Sequence, residues 1–395
     1  MVGGGTGIPA GERGAVTIPV MRPWLGQDEA DAAAEAVRSG WVAQGPRVAT
    51  FEERVAERVG AGYGVAVSSC TTALHLGLLL LGVGPGDEVV VPSLSFIATA
   101  NVVVQAGAEP VFADVDPLTL NLTAEAVEAA LTTRTRAVIL VHQAGTPADI
   151  DAVAAVCAPR RVPILEDAAC AIGATYKGRP IGASGNLAAF SFHPRKVITT
   201  GEGGMLLTGD AEMAGRGRRL REHGMNVSAA SRHQADRLVL EAYEEVGFNY
   251  RMTDMQAAVG LVQLSKLDAI VTRRRTLAAA YRRMLADVPG LQMADDPPYG
   301  RSNFQSFWIT LPDDFPVSRN ELLERMLAEG ISGRRGIMAA HLEPAYTGRP
   351  AGRLPATERV TSRSLILPMF HEMTDDQQRH VADVIRKEAG LSASL

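Results

Sequence analysis

Between residues 65 and 208, short runs of β-branched and other apolar residues alternate with Ala/Leu-rich segments of helical spacing. That alternation constrains the fold more than any other feature. Residues 65–68, 88–91, 110–112, 137–141, 162–165, 188–192 and 204–208 read as seven strands. Residues 72–81, 98–106, 124–131 and 150–157 read as helices between them. Strands nearly continuous in Val, Ile and Leu have no face left for solvent. They belong in a mostly parallel sheet covered on both sides by helices. Ligands of such sheets collect beyond the carboxyl ends of the strands, so the polar residues that follow each run are the ones to inspect.

Two helices precede this region, from about residue 27 to a stop at Gly40 and then along FEERVAERVG. Beyond it, a long helical stretch from about Thr253 runs through LSKLDAIVTRRRTLAAAYRRML. A strand-like SFWITL, the helix ELLERMLAEG and a last helix from about Thr374 follow. The expected organisation is a flexible tail over residues 1–16, a large domain over 17–265 and a smaller C-terminal α/β domain over 266–395.

The chain has 395 residues, nearly half of them hydrophobic, and a formal net charge of −5. This balance offers no field to attract nucleic acid or anionic lipid, and no nucleic-acid partner is expected. The most apolar stretch, 74–83, has roughly half the length that a membrane span requires. The opening MVGGGTGIPAGERG contains no apolar signal region. Cys70, Cys157 and Cys170 form no CxxC pair, which argues against a disulfide framework or thiolate metal site and fits a reducing cytoplasm.

Three strand ends carry candidate chemistry. VAVSSCTTALHL places small hydroxyl residues where a strand turns into a helix, whose free N–H groups suit a phosphate. A plain N-cap would use the same residues. VPILEDAAC ends a buried strand with Glu166 and Asp167, able to ligate a metal, to act as a base, to hold a protonated ring nitrogen or simply to cap a loop. No His or Asp pair follows at a spacing that favours the metal. SFHPRKVITTGEGG carries Ser191, His193, Arg195 and Lys196 into a tight Gly turn. Partial desolvation and nearby cations are expected to lower the Lys196 pKa, which suits Schiff-base chemistry. A phosphate anchor, an acid and an amine at the carboxyl ends of one sheet are the parts that pyridoxal 5′-phosphate (PLP) requires. Phe96, just past EVVVPSLSF, is placed to stack on a ring.

At this point the chain resembles a known family. GWVAQGPRVATFE, VAVSSCTTALHLGLLLLGVGPGDEVVVPSLSFIATAN, PVFADVDPLTLNL, VPILEDAACAIGATYKGRPIG, SFHPRKVITTGEGGM and VGFNYRMTDMQAAVGLVQL are similar to motifs of the DegT/StrS sugar aminotransferases, in the same order. The resemblance runs from about Ile18 to the C-terminal helix. It implies PLP fold type I, the aspartate aminotransferase-like architecture, and a homodimer with active sites at the subunit interface. It implies that the catalytic residues are Lys196, which forms the Schiff base, and Asp167, which pairs with the pyridine nitrogen. Phe96 takes the stacking position, Thr71, Thr72 and Ser191 contact the phosphate, and Asn249 reaches the phosphate of the neighbouring subunit's cofactor.

The chain departs from the family at four places. Cys170 stands where the family has glutamine or histidine near the cofactor's 3′-oxygen, and a thiol is the weaker donor. SCT replaces SGT, bringing Cys70 towards the phosphate. VHQAGTPADI replaces VHLYGQPADM, leaving Ala144 where an aromatic is usual. The segment 227–246 is also longer than in many members.

The implied reaction is transfer of an amino group from glutamate or glutamine to a nucleotide-linked 3- or 4-keto sugar, with Lys196 as general base and acid. Arg334 and Arg335 in ISGRRG are candidates for the sugar's diphosphate, and His193 and His341 for the pocket wall. Amination of a non-sugar ketone, such as a cyclitol, is the nearest alternative. A sugar dehydratase of related fold would replace the lysine by histidine, and a non-catalytic sensor would need neither lysine nor aspartate. A nicotinamide dehydrogenase would show GxGxxG after the first strand, where this chain has SSCTTA.

Overall fold

A computed structural model describes residues 18–227, 238 and 240–392. The expected tail over residues 1–16 and part of the 227–246 segment lie outside the described residues.

All seven expected strands form, shifted by a residue or two. They are β1 (Tyr63–Val67), β2 (Glu88–Pro92), β3 (Glu109–Ala113), β4 (Thr135–Val141), β5 (Ile164–Asp167), β8 (Leu187–Ser191) and β9 (Gly204–Thr208). Between β5 and β8 lie two short strands, β6 (Thr175–Tyr176) and β7 (Arg179–Pro180), which form a separate small sheet with β11 (Gly300–Arg301). The main sheet has the order β1-β9-β8-β5-β4-β2-β3. Only β9 runs antiparallel to its neighbours.

Both faces of this sheet are buried. Along β1 and β2 successive residues point to opposite sides. Ala66 and Val90 pack with Phe51 and Val153, while Val65, Val67, Val89 and Val91 pack with Leu74, Leu76 and Val102. The helices Pro46–Val59 and Ile150–Cys157 thus cover one side, and Cys70–Leu80 and Ala98–Gln105 the other.

The long helical stretch after Thr253 is two helices, Asp254–Ser265 and Leu267–Met284, meeting at Lys266. Thr253 caps the first through the N–H of Gln256, at 3.2 Å. Leu267, Ile270 and Val271 pack on the core of the main sheet, whereas Leu277 and Tyr281 pack in a second core. That second core lies on an antiparallel sheet of order β10-β12-β14-β13, formed by Gln292–Met293, Phe307–Thr310, Ser364–Leu367 and Arg334–Arg335 respectively. The helix Asp375–Glu388 covers it with Val381 and Ile385. Ile18 joins this core from the other end of the chain, its N–H donating to Gly330 O at 2.7 Å.

Candidate active site

A cavity of about 430 Å³ lies at the carboxyl end of the parallel strands, between the main sheet and the β10-β12-β14-β13 sheet. Of the residues expected at a cofactor, Thr71, Phe96, Asp167, Cys170, Ser191 and Lys196 all line it. Thr72 and Asn249 do not. The Thr72 hydroxyl accepts from Ser69 N–H (3.1 Å) and donates to Ser69 O (2.8 Å), while Thr72 N–H donates to Ser69 Oγ (3.2 Å). Asn249 is exposed and accepts from Arg251 Nε at 3.0 Å.

The anion cradle comes from the abrupt turn of β1 into the helix Cys70–Leu80. Ser69 is its extended N-cap, and the first-turn N–H groups of Cys70 and Thr71 have no partner inside the helix. Gly204 lets β9 run against this turn, since a Cβ there would stand 2.4 Å from the Ser69 carbonyl. Ser191 ends β8 on the cavity wall. Cys70 also lines the cavity, its Sγ 3.7 Å from Ala189 O, and burial drives its thiol well above the ordinary value.

Asp167 is buried at the end of β5. Thr99 Oγ1 donates to its Oδ2 at 2.9 Å, and Ala169 N–H to its Oδ1 at 3.2 Å. Ser95 Oγ lies 2.7 Å from Thr99 Oγ1 and completes the support. Burial raises the Asp167 carboxyl above its usual range, against the opposing pull of Lys196, Ala169 and Thr99.

Lys196 sits in the loop that joins β8 to β9. Its N–H donates to His193 O at 2.8 Å, and Phe192 O accepts from Thr199 Oγ1 and Thr200 N–H, both at 2.9 Å. The loop is therefore braced on itself, and Lys196 Nζ reaches Cys170 Sγ at 3.1 Å. Burial lowers the ammonium, as expected, but Cys170, Cys70 and Asp167 outweigh it, so the net direction is upward. This reverses the expectation of a lowered pKa. Cys170, Cys70 and Asp167 all stabilise the charge on Nζ, and burial is what acts against them.

His193 and Arg334 also line the cavity, whereas His341 is tied to Ser93 Oγ at 2.6 Å and Arg335 to Glu343 at 3.2 Å. Sequence reasoning missed Thr99, Gln143 and Gln305. Each reaches the site through a long-range contact, such as Gln305 Nε2 to Arg195 O at 2.7 Å, that no local pattern announces.

The donor set fits PLP. Unpaired N–H groups and hydroxyls wait for a phosphate, a buried carboxylate for a ring nitrogen and an amine for an aldehyde. Phe96, 65% exposed, offers an apolar face on the cavity wall. Among the described residues no cluster could hold a metal ion, and no helix is long and apolar enough to cross a membrane.

The model of the DegT/DnrJ/EryC1/StrS aminotransferase family matches residues 23–386. Similar solved structures include the aminotransferase TlmJ from Streptoalloteichus hindustanus, at 37% identity and a TM-score of 0.87, over 94% of this chain and 99% of that one. DesV of S. venezuelae is 35% identical with a TM-score of 0.86, over 95% and 99%. DesI, solved in the presence of its TDP-sugar product, is 35% identical with a TM-score of 0.84, over 95% and 93%.

Proposed function

The chain belongs to the DegT/DnrJ/EryC1/StrS aminotransferase family and is a PLP-dependent aminotransferase of fold type I; from that premise we propose that it aminates a nucleotide-linked 3- or 4-keto sugar with nitrogen from glutamate or glutamine. The observation that carries this reading is the convergence of Lys196, Asp167 and the Ser69–Thr71 cradle on one cavity. DesI, with its TDP-sugar product, supports the acceptor class.

PLP, when bound, supplies an electron sink for the carbanion left when the donor loses its α-proton. Lys196 Nζ takes that proton as general base and returns it as acid. Asp167 accepts the ring N–H and keeps it protonated, while Thr99 and Ala169 fix the direction of its oxygens. The cradle and Ser191 hold the phosphate, with Thr72 acting on it indirectly as the cap that shapes the turn. Phe96 covers the ring and excludes water from that side. A homodimer, with Asn249 serving the partner's site, and a domain boundary near residue 265 complete the proposal.

The acceptor is tested with the protein in its pyridoxamine phosphate form, offered a panel of nucleotide-linked 3- and 4-keto sugars and, alongside, cyclic non-sugar ketones. Mass spectrometry should find an amino sugar with the wild type and none with Lys196→Ala. Amination confined to the non-sugar ketones would overturn the acceptor class.

A further inference from the structure

Two guanidinium groups stand on the cavity wall. Arg195 directly precedes Lys196, and Arg334 comes from β13. Both also border a recess of about 20 Å³ beside Gln305, Ser306 and Ile366. Neither makes a salt bridge among the described residues, whereas their neighbour Arg335 pairs with Glu343 and Arg363 lies 3.0 Å from Asp313. Arg334 is exposed along β13, yet partial desolvation, and then Arg195, hold its guanidinium below the ordinary value, while Cys170 acts in the opposite direction. The carboxylates of the cavity do not neutralise the pair. Asp167 is engaged by Thr99 and Ala169, and Glu202 lies 3.9 Å from His193.

Both guanidinium groups keep contact with solvent, so they carry their charge without a protein anion and remain available to an anionic ligand in the cavity. The cofactor phosphate has its own cradle at Ser69 and Thr71. The diphosphate of a nucleotide sugar is separated from its carbonyl by the sugar ring. Arg334, in contrast, interacts with Cys170, whose sulfur is 3.1 Å from Lys196 Nζ. The pair therefore serves a charged group carried close to the reacting carbon, and two cations match two carboxylates. We infer that Arg195 and Arg334 hold the two carboxylates of a dicarboxylic amino donor and so select L-glutamate over L-glutamine. This rests on the transamination reading and assigns Arg334 to the donor rather than to a diphosphate.

The test is the donor half-reaction alone: PLP-loaded protein, no acceptor, and the rate of loss of the visible band against donor concentration. Wild type should use glutamate at least about tenfold more efficiently than glutamine, the usual scale of a charge-assisted contact. Arg195→Gln and Arg334→Gln should each cut efficiency with glutamate about tenfold or more, mainly through half-saturation. At least one of them should leave glutamine within about threefold, because glutamine lacks one of the two carboxylates. Arg195→Lys and Arg334→Lys keep the charge and should recover part of the loss. Equal use of both donors by wild type, an equal slowing of both donors by both variants, or an effect on the acceptor half-reaction only would overturn the assignment. If wild type reacted with no amino acid at all, the transamination reading itself would fall, a result distinct from a wrong donor.

Discussion

Glu166 and Asp167 are consecutive carboxylates on one strand, and β5 turns them to opposite faces of the sheet. Glu166 enters a closed polar network. His142 Nδ1 accepts from Ala148 N–H at 3.0 Å, which leaves Nε2 to donate to Glu166 Oε2, also at 3.0 Å. Ser184 Oγ and Asn186 Nδ2 donate to the other oxygen. Burial alone would raise the Glu166 pKa, but these donors outweigh it and hold it below the ordinary range. Asp167 is nearly as buried, has fewer donors, and is raised instead. One carboxylate is satisfied by the fold and stabilises it, and the other is left for a ligand to satisfy. Burial is the same in both places, so the count of donors separates structure from function.

Glu166→Ala should have the largest effect on folding, because it strands three buried donors. A loss of about 3–5 kcal/mol in chemical denaturation is expected, with near-normal turnover per folded molecule. Asp167→Asn should do the reverse, lowering kcat by roughly 10²–10³ without destabilising the cofactor-free protein. Thr99→Val removes one hydrogen bond to the ionised Asp167. It should cost about tenfold in kcat and raise the Asp167 carboxyl further. Cys170→Ser should be mildest, a change of about threefold or less, read as a shift in the pH dependence of the donor half-reaction.

The two carboxylates also predict opposite pH effects on the stability of the cofactor-free protein. A lowered folded-state pKa stabilises above the unfolded value and is lost as pH falls, so the deficit of Glu166→Ala should shrink in acid. A raised folded-state pKa means that ionised Asp167 destabilises at neutral pH, a cost relieved as the carboxyl takes up its proton. The advantage of Asp167→Asn should therefore be greatest near neutrality and vanish in acid. Denaturation midpoints at a series of pH values, with parallel trends in the two variants, would break the distinction.

Much of this was legible in the sequence. The seven strands were, because each is a fully buried apolar run, and so was Lys196 beside its Gly turn. The residues alone left Glu166 and Asp167 equivalent, since facing is decided by which side of β5 meets the helix Cys70–Leu80. The resemblance, not the spacing, singled out Asp167. The two-residue strand Arg334–Arg335 and the strand Ser364–Leu367 gave no readable signal, the first because it is exposed and charged, the second because four apolar-rich residues fit helix or strand equally well. The direction of the Lys196 shift was missed because it depends on Cys170 and Asp167, distant in sequence and brought to Nζ only by folding.

The most direct measurement is a visible absorbance scan of the PLP-loaded protein before and after L-glutamate, with wild type, Lys196→Ala and Asp167→Asn compared. Wild type should show the Schiff-base band and lose it on adding glutamate. Lys196→Ala should lack the band from the outset, and Asp167→Asn should bleach far more slowly. A wild type that bound PLP without such a band, or a Lys196→Ala protein that kept it, would contradict the assignment of Lys196 as the residue that carries the cofactor.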